Sequence, residues 1–190
     1  FRDPDEDGDV VIELEDEIRG SFRALRDVRL RSVRIRHHGD YHLGQVLYTG
    51  KDFQIIDFEG EPARPLSERR LKRSPVRDVA GMIRSFQYAA YAALYGQIAG
   101  VTPRPDSAQV LEGFADYWTT WVSATFLRGY IHTSRAWSFL PPAADFRELL
   151  NIFLLEKALY EVGYELNNRP DWVRIPLNGI MKLLASRDSQ

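Results

Sequence analysis

Residues His38–Gln45 read HGDYHLGQ, and residues Phe53–Gly60 read FQIIDFEG. Between these segments, Gln45–Tyr48 and the start of the second segment flank the tetrapeptide TGKD, a pattern typical of a β-hairpin with a four-residue turn. Asp40 lies in a loop before this hairpin, and Asp57 lies at the end of its second strand. The hairpin therefore predicts that two carboxylates 17 residues apart in sequence meet at one end of a two-stranded ribbon.

The residue types in these segments are those that phosphoryl transfer requires. Kinases use one carboxylate to accept the proton of the attacking hydroxyl, and an amide oxygen with a second carboxylate to hold Mg²⁺ against the nucleotide phosphates. Hard oxygen ligands suit Mg²⁺, which takes only one or two protein carboxylates. Asp40, Gln45 and Asp57 supply these groups in that order.

The same residues carry a family resemblance. A His-Gly-Asp motif with an amide side chain five residues after the Asp, and an apolar strand that closes on Asp-Phe, resembles the aminoglycoside-phosphotransferase-like branch of the protein-kinase superfamily. That superfamily usually has Asn where this chain has Gln45. With this Gln the chain resembles the maltokinases over most of residues 35–180. Four further strings carry that resemblance: Asp57–Pro62, Arg64–Arg70, Arg77–Met82 and Leu155–Trp172.

The resemblance implies a fold, an activity and cofactors. It implies ATP-dependent phosphorylation of maltose to maltose 1-phosphate for α-glucan synthesis, with Asp40 as the catalytic base and Gln45 and Asp57 as ligands of Mg²⁺. Maltokinases are often fused to trehalose synthase, which makes a trehalose synthase domain a candidate fused partner. No glycine-rich loop and no lysine precede His38, since the first lysine is Lys51. We therefore expect residues 1–190 to form a single kinase-like C-terminal lobe that has little or no turnover by itself.

Three further residues near the motif receive roles, with His42 as a substrate-binding residue and His38 and Glu59 as supporting residues. We expect His38 to brace the loop and His42 to lie near the sugar acceptor. Glu59 either supports the metal or hydrogen-bonds the following turn. Two plainer interpretations remain open, in which Asp40 only caps backbone amides or forms a transition-metal site with the two histidines.

A second group of candidate residues lies about 120 residues further along the chain. Four side chains at i, i+3, i+4 and i+7 share one face of a predicted helix over residues 145–167: Lys157, Tyr160, Glu161 and Tyr164. Aromatic faces and charged side chains bind sugars, and the resemblance also implies maltose recognition here, so the stripe is a candidate substrate site. The alternative is that the two tyrosines are core residues with hydroxyls at the surface.

Hydrophobic periodicity predicts a mostly helical α+β fold. Helices are expected over residues 15–29, 77–99, 107–133, 145–167 and 176–185, with a short strand over residues 32–37 and the hairpin. Residues 1–13 form an acidic start that we expect to be flexible, and Asp145 is a plausible helix N-cap. Aromatic residues of the third helix, with Trp137 after it, are expected to form core or lobe-packing surface rather than a sugar platform.

Composition limits the function classes. The formal net charge of −2 gives no basic field for nucleic acid or an anionic membrane. The absence of cysteine excludes disulfides, thiolate metal sites and a cysteine nucleophile. The sequence contains no apolar run of about 18 residues, so we expect a cytoplasmic protein. Two rival functions remain: another small-molecule phosphotransferase, such as one acting on aminoglycosides, and a non-catalytic kinase-like docking module.

Overall fold

The computed structural model describes residues 14–23, 28–95 and 108–187. The chain divides into two compact units, one built from residues 31–150 and the other from residues 1–30 and 151–190. The predicted flexible start over residues 1–13 lies outside the described residues. Most described residues are helical and one small sheet is present, so the predicted α+β class is confirmed.

The first unit begins with the predicted hairpin. Strands β1 (Val46–Tyr48) and β2 (Phe53–Ile55) pair antiparallel, with Val46 opposite Ile55. The turn is closed by hydrogen bonds between Thr49 and Asp52, including one from the Thr49 N–H to the Asp52 carbonyl at 2.8 Å. The local alternation and turn residues were therefore sufficient to specify this element.

The predicted strand over residues 32–37 is wrong. This segment forms a single bridge, in which Ile35 and Arg73 exchange backbone hydrogen bonds of 3.0 and 3.1 Å. Residues 31–34 are exposed, so Val33, one of the two apolar residues of the predicted alternation, covers no sheet face. The reason is topological, because β1 and β2 pair with each other and, among the residues that the structure describes, no neighbouring strand extends the bridge.

Three helices lie entirely within the described part of this unit. They are α2 (Leu66–Arg69), α3 (Val76–Leu94) and α4 (Ala108–Ser134), and α3 packs against α4. The face of α3 with Val76, Val79 and Met82 is buried, and Phe86 meets Phe126 edge-on with ring centroids 5.7 Å apart. The predicted helix over residues 77–99 ends at Leu94 in the described part, whereas the prediction for α4 is correct within one residue.

The aromatic residues of α4 divide into two groups. Phe126 and Tyr130 are half-buried, as expected for core residues, whereas Tyr117 and Trp121 are mostly exposed. Trp137, in the short 3₁₀ turn Arg135–Trp137 after α4, is also exposed. The core interpretation therefore applies only to the end of α4 that lies near the hairpin residues.

The second unit is held by one apolar cluster. Helix α5 (Ala143–Asn168) crosses the division between the units, and from residue 151 onward it contributes to this cluster. Helices α1 (Glu15–Arg23) and α6 (Arg174–Arg187), together with Val173 immediately before α6, supply the other residues. The buried members are Ile18, Leu155, Ala158, Val162, Val173, Leu177, Ile180 and Leu184.

Two further helix predictions differ from the structure. The described part of α1 ends at Arg23, and residues 28–30 are not helical, so the predicted helix over residues 15–29 is too long. Asp145 does not cap α5, because that helix begins two residues earlier, at Ala143. Its carboxylate instead accepts the Arg31 backbone N–H at 3.1 Å. No described helix is both long enough and apolar enough to cross a membrane.

Candidate active site

The loop that carries Asp40 is held by a carboxylate from α3. Asp78 lies in the first turn of this helix, where its Oδ2 accepts the His38 N–H at 2.6 Å and its Oδ1 accepts the Gly39 N–H at 3.0 Å. Gly39 has a φ of +90°, a conformation that side-chain-bearing residues rarely adopt. The two hydrogen bonds to one ionised group therefore fix the loop immediately before Asp40.

His38 joins this loop to the end of the hairpin. Its Nε2 donates to the Ile56 carbonyl at 2.8 Å, which leaves Nδ1 to accept the Asp40 N–H at 3.3 Å. The imidazole is buried and its centroid lies 4.9 Å from that of the Phe58 ring. His38 thus contacts both motifs and has no exposed surface on which to bind a substrate.

The Asp40 carboxylate lies beside His42. The Asp40 side chain is 16% exposed, and its Oδ2 lies 3.7 Å from His42 Nε2. His42 Nδ1 accepts the Gly44 N–H at 3.0 Å, so the proton of a neutral ring is on Nε2, toward Asp40. The carboxylate is therefore partly shielded from water and still reachable from solvent.

Gln45 and Asp57 meet at the base of the hairpin. Gln45 Nε2 donates to Asp57 Oδ2 at 2.9 Å, and the Ile56 N–H donates to the Gln45 carbonyl at 3.0 Å. Asp57 has a φ of +60°, a left-handed conformation that costs a non-glycine residue on the order of 1 kcal/mol. The surrounding hydrogen bonds maintain this conformation and direct the carboxylate toward Gln45.

The oxygen atoms of this pair are of the type that could hold Mg²⁺. The carboxylate and amide oxygens are hard donors of the kind that Mg²⁺ prefers. Within the described ranges, no three His, Asp or Glu side chains converge as a metal cluster. A cation here would therefore take its remaining ligands from phosphate oxygens and water. Glu59 is exposed and, among the described residues, makes no hydrogen bond to the turn that follows it.

Helix α3 approaches the loop too closely for any residue but glycine at position 81. A Cβ built on Gly81 would lie 2.7 Å from the Tyr41 carbonyl oxygen. Four residues later on the same helix, the Ser85 hydroxyl accepts the Leu43 N–H at 3.1 Å. The loop is therefore fixed against α3 both before and after Asp40.

Gly81→Ala is expected to destabilise the protein by about 1–3 kcal/mol, because the added methyl overlaps a backbone atom that cannot move alone. The matched control is Gly129→Ala on α4, where a Cβ has no neighbour within 4 Å. That change is expected to stabilise by about 0.5–1 kcal/mol through helix propensity. Urea unfolding of both variants checks the prediction, and equal changes of the same sign would contradict the close approach.

A cavity of about 570 Å³ lies behind the loop. Its polar lining includes His37, His38, Tyr41, Asp78 and Tyr130, and the remainder is largely apolar. Burial raises the pKa of Tyr130 to about 12, and the Asp78 carboxylate adds to this effect. Burial also lowers the pKa of His37, an effect that Asp78 opposes and two nearby arginines reinforce. His37 is therefore held neutral at a pH where an exposed imidazole would be charged.

His37 is expected to make stability depend on pH below about 6.5. Its pKa is lower in the folded chain than in the unfolded chain, so the unfolded chain takes up the proton first and the free energy of unfolding decreases as the pH falls. His37→Asn is expected to remove this contribution, whose slope is at most about 1.4 kcal/mol per pH unit. His132→Asn, on the exposed side of α4, is the control. Parallel curves for the wild type and His37→Asn would show the prediction wrong.

The candidate substrate residues lie on α5 in the second unit. Lys157 Nζ lies 4.9 Å above the Tyr160 ring, and the Tyr160 and Tyr164 rings stack with centroids 6.5 Å apart. Tyr164 is 45% exposed, whereas Glu161 is only 8% exposed. Lys157, Tyr160 and Tyr164 therefore form one continuous row, and Glu161 is the buried member of the predicted stripe.

The sequence analysis assigned no role to Asp78, which holds the Asp40 loop. The residue was part of the string Arg77–Met82 that carried the family resemblance, but a helical Asp has many possible partners. The only indication in the sequence was that Asp78 lies in the first turn of a helix that begins immediately after Pro75. Its partners lie about 40 residues earlier in the chain, and sequence spacing cannot reveal such a contact.

The sequence of this chain is similar to those of two curated proteins. No protein-family model matches the chain. Two curated relatives are glucosamine kinases: that of Streptacidiphilus jiangxiensis is 28% identical over 150 residues, and that of Mycolicibacterium smegmatis is 33% identical over 149 residues. These matches cover 79% and 77% of this chain but only 32% and 34% of the relatives. The chain thus spans about a third of the length of the curated relatives it matches.

Solved structures of glucosamine kinase superpose on nearly the whole chain. Crystal form A gives a TM-score of 0.78 at 23% identity and covers 96% of this chain and 42% of its own. The chain shares its fold with glucosamine kinase. A glucosamine kinase in complex with glucosamine, ADP and inorganic phosphate gives a TM-score of 0.76 at 22% identity, with 96% and 43% covered.

Proposed function

We propose that this chain is the catalytic part of an ATP-dependent sugar kinase, and that glucosamine is its acceptor. The observation that carries the proposal is the Gln45–Asp57 pair beside a loop that Asp78 holds in place. This is the set of oxygen donors and the positioned carboxylate that phosphoryl transfer requires. The acceptor is inferred from the two glucosamine kinase relatives.

In this proposal each residue has a separate task. Asp40 accepts the proton of the attacking sugar hydroxyl, and the Nε2–H of His42 faces that carboxylate. The oxygens of Gln45 and Asp57 hold Mg²⁺, with Glu59 as an outer support. Bound Mg²⁺ neutralises charge on the phosphates of ATP during transfer. His38 and Asp78 act only by positioning the loop.

The row on α5 is proposed to bind the sugar. The faces of Tyr160 and Tyr164 suit the apolar faces of a pyranose ring, and Lys157 can donate to its hydroxyls. The ammonium group of glucosamine requires a carboxylate partner, for which Glu161 is the candidate on the same helix. A cytoplasmic location, where ATP is available, belongs to this proposal.

Maltose is the second candidate acceptor. The strings that resemble maltokinases favour it, and two stacked tyrosines suit a disaccharide better than a single ring. This variant of the proposal yields maltose 1-phosphate and includes a fused trehalose synthase domain. Glucosamine is preferred because both curated relatives are glucosamine kinases, and because maltose has no ammonium group to engage a carboxylate.

A chimaera tests the proposal. In it, this chain replaces the matching third of the M. smegmatis glucosamine kinase, and ADP release is measured with glucosamine, maltose, glucose and kanamycin. We expect ATP-dependent turnover with glucosamine at a kcat/KM at least tenfold above that of the other acceptors. Tyr160→Ala should raise the KM for the sugar, whereas Tyr117→Ala, an exposed tyrosine on α4, should leave it unchanged.

The other outcomes separate the rival functions. A preference for maltose or kanamycin would change the proposed acceptor but would leave the proposed kinase activity in place. A folded chimaera, verified by circular dichroism and a cooperative thermal transition, that phosphorylates none of the acceptors would contradict the proposal. It would favour the non-catalytic docking module instead.

A further inference from the structure

A second cavity, of about 580 Å³, lies at the end of α4 and the start of α5. It shares no lining residue with the cavity behind the Asp40 loop. Its wall is mostly apolar, formed by Leu127, Ile131, Leu140, Pro141, Ala143, Phe146 and Leu150. This volume is within the range of cavities that hold small organic ligands.

The polar lining of this cavity is entirely basic or neutral. Arg135, Arg147, Ser134 and Ser138 complete the wall, and no acidic residue lines it. Both arginines are exposed, and within the described part of the chain neither forms an ion pair or a hydrogen bond. Asp145, in the same turn of α5 as Arg147, is occupied by Arg31, whose backbone N–H and Nε lie 3.1 and 3.5 Å from its Oδ2.

Two serines, Ser134 and Ser138, form part of the cavity wall. Ser138 has a φ of +52°, a left-handed conformation that non-glycine residues adopt at a cost. The buried Ser134 hydroxyl is hydrogen-bonded to Tyr130, whose ring lines the cavity behind the catalytic loop. The two serines therefore contribute to the shape of the cavity. The two arginines are the lining residues that could bind a negatively charged group.

We propose that this cavity binds an amphiphile that has one anionic head group and an apolar body the size of a medium-length acyl chain. The head group is a carboxylate or a phosphate, which one or two arginines bind through paired N–H donors. The apolar wall receives the body, whose transfer from water drives binding. A sugar is disfavoured because the wall offers few partners for its hydroxyl groups.

Calorimetric titration of the chain with decanoate, decyl phosphate, 1-decanol and inorganic phosphate tests the proposal. We expect decanoate or decyl phosphate to bind at one site with a Kd below about 1 mM, and the stronger of the two identifies the head group. Decanol is expected to bind at least tenfold more weakly, and inorganic phosphate not measurably. The Arg135→Ala/Arg147→Ala double variant should lose at least tenfold in affinity, whereas Arg128→Ala, an exposed arginine on α4 outside the cavity, should not.

A photoreactive decanoate locates the site without any substitution. Labelling within residues 127–150 is expected. Labelling of the exposed apolar residues of the hairpin, such as Tyr48 and Phe53, would overturn the proposal. Equal affinity for decanol and decanoate, unchanged affinity of the double arginine variant, or no binding up to about 1 mM would also overturn it.

Discussion

In the chimaera, Asp40→Asn is expected to lower kcat by about 10²–10⁴-fold, because it removes the group that accepts the hydroxyl proton. The amide has nearly the same shape and still faces His42, so the KM for the sugar should change by less than about threefold. Steady-state ADP release at saturating ATP measures both constants. A loss in kcat without a change in KM is typical of an interaction made only in the transition state.

The matched control is Asp52→Asn in the hairpin turn. Asp52 is an exposed carboxylate whose Oδ1 accepts the Phe53 N–H at 2.8 Å, so this variant removes the same charge from the same unit. Its kcat is expected to remain within about twofold, since surface substitutions away from special features have small effects. If Asp40→Asn were as active as Asp52→Asn, Asp40 would not be the base, and the proposed function would lose its central residue.

Asp78→Ala is expected to have the largest effect on stability, about 2–4 kcal/mol. It leaves the N–H groups of His38 and Gly39 without a protein acceptor, and bonds to a charged group contribute about 1.5–3 kcal/mol each. It also removes a negative charge from the first turn of α3, where the helix dipole favours one. Asp78→Asn retains one acceptor oxygen, so its loss should be intermediate.

Urea unfolding of the chain, followed by circular dichroism, gives these free energies directly. Glu68→Ala is the control, because its ion pair with Arg64 spans 3.5 Å at the surface and should contribute less than about 1 kcal/mol. A similar midpoint for Asp78→Ala and Glu68→Ala would show that solvent replaces both hydrogen bonds to the loop. In the chimaera, Asp78→Ala should also lower kcat, since Asp40 would no longer be held in one position.

Local patterns predicted most of the elements. The hairpin followed from an alternation on either side of a TGKD turn, and α3 to α6 followed from helical spacing and the prolines between them. The prediction failed where the partner of a segment is remote. Residues 32–37 alternate as a strand does, but the only described strand partner of Ile35 is Arg73, in a single bridge.

The sequence analysis named the side chains of the candidate site, but it predicted their spatial arrangement only in part. The sequence predicted that the hairpin brings Asp40 and Asp57 together, whereas the hydrogen bond in the structure joins Gln45 and Asp57, which flank the same pair of strands. The burial of Glu161 did not follow from its position on a helical stripe. Residues on one face can differ in depth, and here the neighbouring Ala158, Val162 and Glu165 are buried with it.

By itself, the sequence determined the residue types on which the proposed phosphoryl-transfer site depends, the hairpin that Gln45 and Asp57 flank, and the helical character of the remainder. These properties depend on neighbours within a few residues, through backbone alternation and side-chain periodicity. Only the tertiary structure decided that Asp78 and Gly81 of α3 hold the Asp40 loop, and that two arginines border an apolar cavity at the end of α4. These contacts join segments that are distant in the chain, or that surround the same cavity. They are set by the packing of the whole unit.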